Sequence, residues 1–267
     1  MAHRCKFQPA ALPPAEEVRP EDVLRGFSDG QYRLICVLGP TASGKTKYAV
    51  RLAGELKALS GRDVEIISAD SRQVYRGMDI GTGKDLAEYG DIPYHLIDIA
   101  EPGDGYNVFR FKEDFLRVWK DILERGGIPI LCGGTGMYIN AVTAGYDFSS
   151  KKPLSEARDS AGIATFFIGT LVERDERNAR IDRRLDVRLA EGMIEEIRGL
   201  LQRGVPAETL ISYGLEYKFV TQHILGELDF EQMRTLLSTA IHQFAKRQMT
   251  WFRGMERSGV RIHWVRV

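Results

Sequence analysis

Residues Gly39-Pro40-Thr41-Ala42-Ser43-Gly44-Lys45-Thr46 carry the spacing G-x-x-x-x-G-K-[ST], a pattern whose chemistry is the holding of phosphate. Glycines at its two ends let the chain curl until successive amide N–H groups converge on an anion, and the helix start expected after it adds positive potential. Lys45 contributes a point charge, and the Thr46 hydroxyl suits a magnesium ion. The default reading of such a loop is a nucleoside-triphosphate hydrolase or kinase that binds ATP or GTP. Those enzymes bring a magnesium-holding aspartate at the end of a later apolar strand, yet the run Ile128–Cys132 here ends in Gly133-Gly134. The acid well placed at a strand end is Asp70, after Ile66-Ile67-Ser68-Ala69. Beside phosphates a carboxylate is repelled unless it serves the chemistry there, either by holding metal through water or by taking a proton from a nucleophile. The same residue also suits an Asx turn or a helix cap.

These groups need elements to position them. Leu34–Leu38 is an unbroken apolar run ending at a glycine, the pattern of a strand buried on both faces. A helix over about 45–59 follows, and strand-like runs recur at 64–67, 94–97, 128–132 and 163–168. Strands alternating with helices predict a parallel sheet with right-handed crossovers. The fold class expected is α/β: a P-loop NTPase-like parallel sheet flanked by helices, with a helical C-terminal region over 173–257 and a short strand near 260–265. Residues 1–30, with four prolines, read as a loosely ordered leader holding one short helix near Glu21 to Phe27, and 31–267 as the domain proper. The polar stretch 146–162 reads as a loop.

Composition removes other classes. The 267 residues balance 37 Lys+Arg against 37 Asp+Glu and are 43% hydrophobic, so neither disorder nor a non-specific nucleic-acid coat is indicated. Local asymmetry remains: residues 240–267 hold six Lys/Arg against the single acid Glu256, a basic end suited to a polyanion. Cys5, Cys36 and Cys132 form neither a disulfide framework nor a zinc spacing, which fits a reducing cytoplasm. No apolar run is long enough for a membrane span. None of the five histidines has metal-ligand spacing, and His95 reads as a satisfied core residue.

The motifs taken together resemble a known family. GPTASGKT at 39–46, SADSRQVYRGMDIGTGK at 68–84, PYHLIDI at 93–99, GGTGMYI at 133–139, RIDRR at 180–184 and FAKRQMTWFR at 244–253 stand in the order found in tRNA dimethylallyltransferases. The resemblance implies that the 39–46 loop grips the diphosphate of dimethylallyl diphosphate and that a five-carbon group moves to the exocyclic N6 of adenine, next to the anticodon in tRNA. It implies Asp70 as general base, with Lys45, Thr46 and Arg184 as the other catalytic groups, Arg184 contacting diphosphate and Mg2+ held at Thr46. Ser71, Arg72, Gln73 and Thr135 would face the target nucleotide, and Lys246, Arg247, Trp251 and Arg253 the tRNA. Local spacing alone reads Arg184 differently: with Glu173/Arg177 and Glu176/Arg180 at i,i+4, its helix is a mixed-sign solvated face.

The chain departs from the family pattern in one large respect. Family members carry a helical insertion after the GGTG-containing helix that clamps the anticodon stem-loop, and only Tyr146 to Gly162 stands in its place. The TRQ that precedes the family's AKRQ segment reads Ile241-His242-Gln243, and its glycine-tyrosine motif is represented by Tyr213-Gly214-Leu215-Glu216-Tyr217. Three readings follow: a compact, monomeric, cytoplasmic enzyme acting on tRNA; an adenylate-type isopentenyltransferase using free AMP, ADP or ATP; and a non-catalytic diphosphate-binding paralogue.

Overall fold

The computed structural model describes residues 12–144 and 162–267. Six strands, β1 (Leu34–Leu38), β2 (Val64–Ser68), β3 (Tyr94–His95), β4 (Ile128–Gly133), β5 (Thr165–Leu171) and β6 (Ile262–Arg266), form one sheet in the order β3-β2-β4-β1-β5-β6. Every pairing is parallel. The expected α/β class therefore holds, and the reading of 34–38 as a doubly buried strand holds with it; the strand-like runs at 64–67 and 128–132 are strands too, and β1, β2 and β4 are buried at every position. Alternate residues of β1 serve two cores. Ile35 and Val37 meet α1 (Pro20–Ser28) and α2 (Lys45–Ser60) on one face. Leu34, Cys36 and Leu38 meet α3 (Val108–Glu124) and α4 (Gly136–Thr143) on the other, together with Phe252 and Met255.

β3 is shorter than its apolar run because the backbone turns out of the sheet, with φ of 62° at Leu96 and 55° at Asp98. Its His95 is satisfied, the ring nitrogen Nε2 lying 2.6 Å from the buried Glu65 carboxylate, which Arg125 also engages. Of the leader expected over 1–30, the short helix near Glu21 to Phe27 is present as α1, but the described part is packed and not loose. Val23 and Phe27 of α1 are buried in the core, and the Glu16 amide donates to the Trp264 carbonyl, covering the edge strand β6. The leader prolines do not prevent packing, because Pro20 sits in the first helical turn, where no N–H is needed.

The C-terminal region is helical as expected: α5 (Arg174–Ala190), α6 (Met193–Gln202), α7 (Ala207–Ser212), α8 (Leu215–Ile224) and α9 (Phe230–Arg257). These helices share a third core, in which Ile181, Leu185, Leu237 and Ile241 pack with Val74, Tyr75 and Met78 from the segment after β2. α9 starts with a capping box between Asp229 and Gln232. The helix therefore runs from the helical layer, beside the strand ends, to the second core of the sheet. Most of the stretch 146–162 lies outside the described residues.

Candidate active site

The carboxyl ends of β1, β2 and β4 open into one cleft of about 830 Å3, the place where parallel sheets bind ligands. Its floor is the 39–46 loop. Ala42 and Gly44 both take left-handed φ, 59° and 76°, and residues of this kind alternating with ordinary ones make a backbone concavity for anions. Gly39 has no room for a side chain, since a Cβ would stand 2.1 Å from Thr170 Oγ1. α2 begins directly after Gly44, with no side-chain cap on its first amides. Lys45 and Thr46 line the cleft. Among the described residues Lys45 has no ion-pair partner; burial lowers its pKa, while Asp70 and Glu88 act in the opposite sense. Burial pushes the Cys132 thiol beside Lys45 and Thr46 up to about 12. The thiol is therefore neutral.

Asp70 stands across from this lysine in the same cleft. One of its oxygens accepts from the Arg72 amide at 2.9 Å, so the turn expected of it locally and a place in the site hold at once. Ser71, Arg72, Gln73 and Thr135 also line the cleft. The Ser71 amide donates to Thr135 Oγ1 at 3.1 Å, tying the two loops. Their close approach requires Gly133, where a Cβ would meet the Ala69 carbonyl oxygen at 2.3 Å.

The opposite wall comes from the helices. Arg180, Arg183, Arg184 and Arg188 of α5 reach the cleft, so this helix is more than a mixed-sign surface. Desolvation and the neighbouring Arg188 lower the Arg184 pKa, and Asp85 lies 3.3 Å from it. Arg180 pairs with Glu176 as the spacing predicts. Glu173 instead meets Arg266, while Arg177 turns inward to 9% exposure with its Nε unpartnered among the described residues.

The sequence-derived site divides at this point. Thr41, Ala42, Gly44, Lys45, Thr46, Asp70, Ser71, Arg72, Gln73, Thr135, Arg184 and Arg247 converge on the cleft. Ser43 is turned away, its hydroxyl 2.6 Å from Thr170 Oγ1, and contributes backbone only. Lys246, Trp251 and Arg253 do not line the cleft. Trp251 packs against Gly136, one residue beyond Thr135, at 38% exposure, and Arg253 lies 3.6 Å from Glu256.

Two groups escape sequence reasoning. Gln248, 8% exposed, accepts from the Thr41 amide at 2.8 Å and donates to the Gly134 carbonyl at 3.0 Å. It stitches both glycine loops to α9 and occupies the Thr41 N–H, so that amide is not free for a phosphate. Its one sequence signal is its place in the AKRQ segment. Glu216 enters the cleft 3.9 Å from Arg188, and burial raises its pKa. It stands within the Tyr213–Tyr217 motif, but nothing in that motif gives it a role.

The fold and site define a class: a parallel α/β protein whose glycine-rich loop after the first strand faces a carboxylate across an arginine-lined cleft. Comparison with known proteins narrows it. The IPP transferase family model matches residues 73–163 and 148–255. tRNA dimethylallyltransferase 1 of Parabacteroides distasonis is 48% identical, with 88% of this chain and 92% of that protein covered. tRNA dimethylallyltransferase 2 of Porphyromonas gingivalis is also 48% identical, over 87% and 93%. The crystal structure of the full-length tRNA isopentenylpyrophosphate transferase of Bacillus halodurans superposes with a TM-score of 0.75 at 30% identity, covering 87% of this chain and 89% of that one. A eukaryotic dimethylallyltransferase acting on tRNA shares the fold, with a TM-score of 0.70 at 22% identity. The chain belongs to the IPP transferase family. Its alignment with the Parabacteroides protein runs over 289 positions, more than the 267 residues here, so some positions of that relative face no residue in this chain.

Proposed function

We propose that this chain transfers the dimethylallyl group of dimethylallyl diphosphate to N6 of an adenine in tRNA, releasing diphosphate. The observation that carries the reading is the meeting of Lys45, Thr46, Asp70 and Arg184 in one cleft of a chain from this family. The reaction breaks the allylic C–O bond and forms a C–N bond, and the surplus proton on N6 leaves with a base. Asp70, with one oxygen held by the Arg72 amide, is that base; its other oxygen forms no hydrogen bond among the described residues. Negative charge grows on the departing diphosphate oxygen, and the loop amides, Lys45 and Arg184 stabilise it.

The donor set near Thr46 fits magnesium. It offers hard oxygens from Thr46 and Asp70, and no group of three or more His, Cys, Asp or Glu among the described residues could hold a metal unaided. Magnesium keeps several waters and shares phosphate oxygens, so a sparse protein shell suits it. When bound, it would add positive charge at the diphosphate.

Ser71, Arg72, Gln73 and Thr135 orient the adenine, with Arg247 at the rim and Lys246, Trp251 and Arg253 offering charge and a stacking face outside it. The reaction on tRNA belongs in the cytoplasm, and no helix among the described residues is long and apolar enough to cross a membrane. Incubation with tRNA, magnesium and dimethylallyl diphosphate should yield N6-isopentenyladenosine in digested tRNA, read by mass spectrometry. Product on AMP in place of tRNA would assign the free-nucleotide activity instead, and donor binding without product on either acceptor would leave a binding protein.

A further inference from the structure

The loop over 79–85 forms part of the cleft wall and is held in an unusual way. Three consecutive amides, Asp79, Ile80 and Gly81, donate to the Glu196 carboxylate at 2.8, 2.7 and 3.1 Å. The Tyr217 hydroxyl donates to the same carboxylate at 2.8 Å. A side chain from α6 thus fills a backbone concavity of the kind that elsewhere receives a free anion. Gly81 admits no Cβ, which would stand 2.8 Å from the Tyr217 hydroxyl. Lys84, fully buried, anchors the far end of the loop through Asp79 and Asp98.

What the loop presents to the cleft follows from this anchoring. Gly83 has φ of 62°, and a Cβ there would lie 1.7 Å from an Arg188 nitrogen and 3.1 Å from an Arg184 nitrogen, so both guanidinium groups rest on its backbone. Asp85 pairs with Arg184, and the Gly83 carbonyl accepts from Gln73 at 3.2 Å. Glu196 itself does not line the cleft.

We propose that Glu196 is a positioning residue for the donor site: by fixing amides 79–81 it sets the backbone against which Arg184 and Arg188 are aimed at diphosphate. The inference rests on the reading of the cleft as a diphosphate site. Removing groups that orient metal-ligating side chains typically costs about 10–100-fold in affinity or activity, and the lower end of that scale is the expectation here.

The test is calorimetric binding of inorganic diphosphate with magnesium to the wild type, Glu196→Gln, Arg184→Ala and the double variant, with thermal melting of each. Glu196→Gln turns an amide NH2 toward backbone donors, and the expected result is binding about tenfold weaker at little change in Tm. On the Arg184→Ala background the Glu196→Gln effect should shrink, because the two act through one contact. Tyr217→Phe, which keeps the ring, should weaken binding in the same direction by less, and it carries the test if Glu196→Gln fails to fold. Undiminished binding in the folded variants, or an equal loss on both backgrounds, overturns the inference while leaving the donor site standing. A wild type that binds no diphosphate overturns both.

Discussion

The two walls of the cleft are built differently. On the sheet side, the 39–46 loop, Asp70 and the Gly133–Thr135 turn each sit within a few residues of a strand end, so backbone geometry places them. On the helical side, Arg184, Glu216 and Gln248 come from α5, α8 and α9, and packing among helices, with contacts to the 79–85 and glycine loops, sets where they point. A turn after a strand tolerates change in distant residues. A wall of long side chains depends on the fit of every helix behind it, and its arginines stay in place through contacts such as Asp85 with Arg184 and Arg188 with Glu216.

This difference can be broken by substitution, beginning on the sheet side. Asp70→Asn should lower transfer by about 10²–10⁴-fold, the span of a general base, with diphosphate affinity retained. Single-turnover rates beside calorimetric titration would measure it, and weakened diphosphate binding would move Asp70 into the donor site. Arg184→Ala should cost about 10²–10³-fold and raise the donor KM as well, as loss of one charge-stabilising donor does. A pH profile sharpens the picture. Burial lowers the Lys45 pKa, so kcat/KM for the donor should fall on the alkaline side earlier than for an ordinary lysine, as the ammonium loses its proton. Lys45→Arg should remove that limb, because arginine stays charged.

The helical side should respond through order. Gln248→Ala leaves the Thr41 amide and the Gly134 carbonyl unpaired in a buried place, and about 1–3 kcal/mol of stability should be lost, together with donor affinity. Denaturant titration checks the first part. A loss of stability with unaltered donor affinity would show that the stitch does not shape the phosphate loop. The smallest effect on turnover is expected far from both walls. Glu65 is buried with Arg125 and His95; burial alone would raise its pKa, and the bonds from these partners more than offset that, so it is lowered overall. A lowered carboxylate pKa stabilises the fold above the unfolded value of about 4.3, and that contribution fades as pH falls through the folded value. Glu65→Gln should therefore destabilise at neutral pH, converge with the wild type in acid, and leave transfer unchanged.

The same contrast explains what the sequence could reveal. Strand, turn and helix start lie together along the chain, so Gly39 to Thr46 and Asp70 announce their geometry by spacing alone. Arg184 is singled out by family position only, since its helix reads as solvated by charge pattern, and its place on the cleft wall overrides that pattern. Gln248 is marked only by its place in the AKRQ segment, and Glu196 not at all. Their partners are Thr41, Gly134 and the amides of 79–81, all far away in sequence, and pairing of this kind is decided by tertiary packing. The leader reads as loose for the same reason: Val23 and Phe27 look sparse among prolines until Tyr32 and the first core gather them.

The stitch made by Gln248 also has a consequence for the order of events during synthesis. Thr41 leaves the ribosome early, yet the glutamine that locks its amide belongs to the last helix and emerges some two hundred residues later. A nascent chain that has already paired β1 with β4 still lacks the clasp on its phosphate loop. The loop is therefore expected to reach its final shape only after α9 has emerged and packed against it.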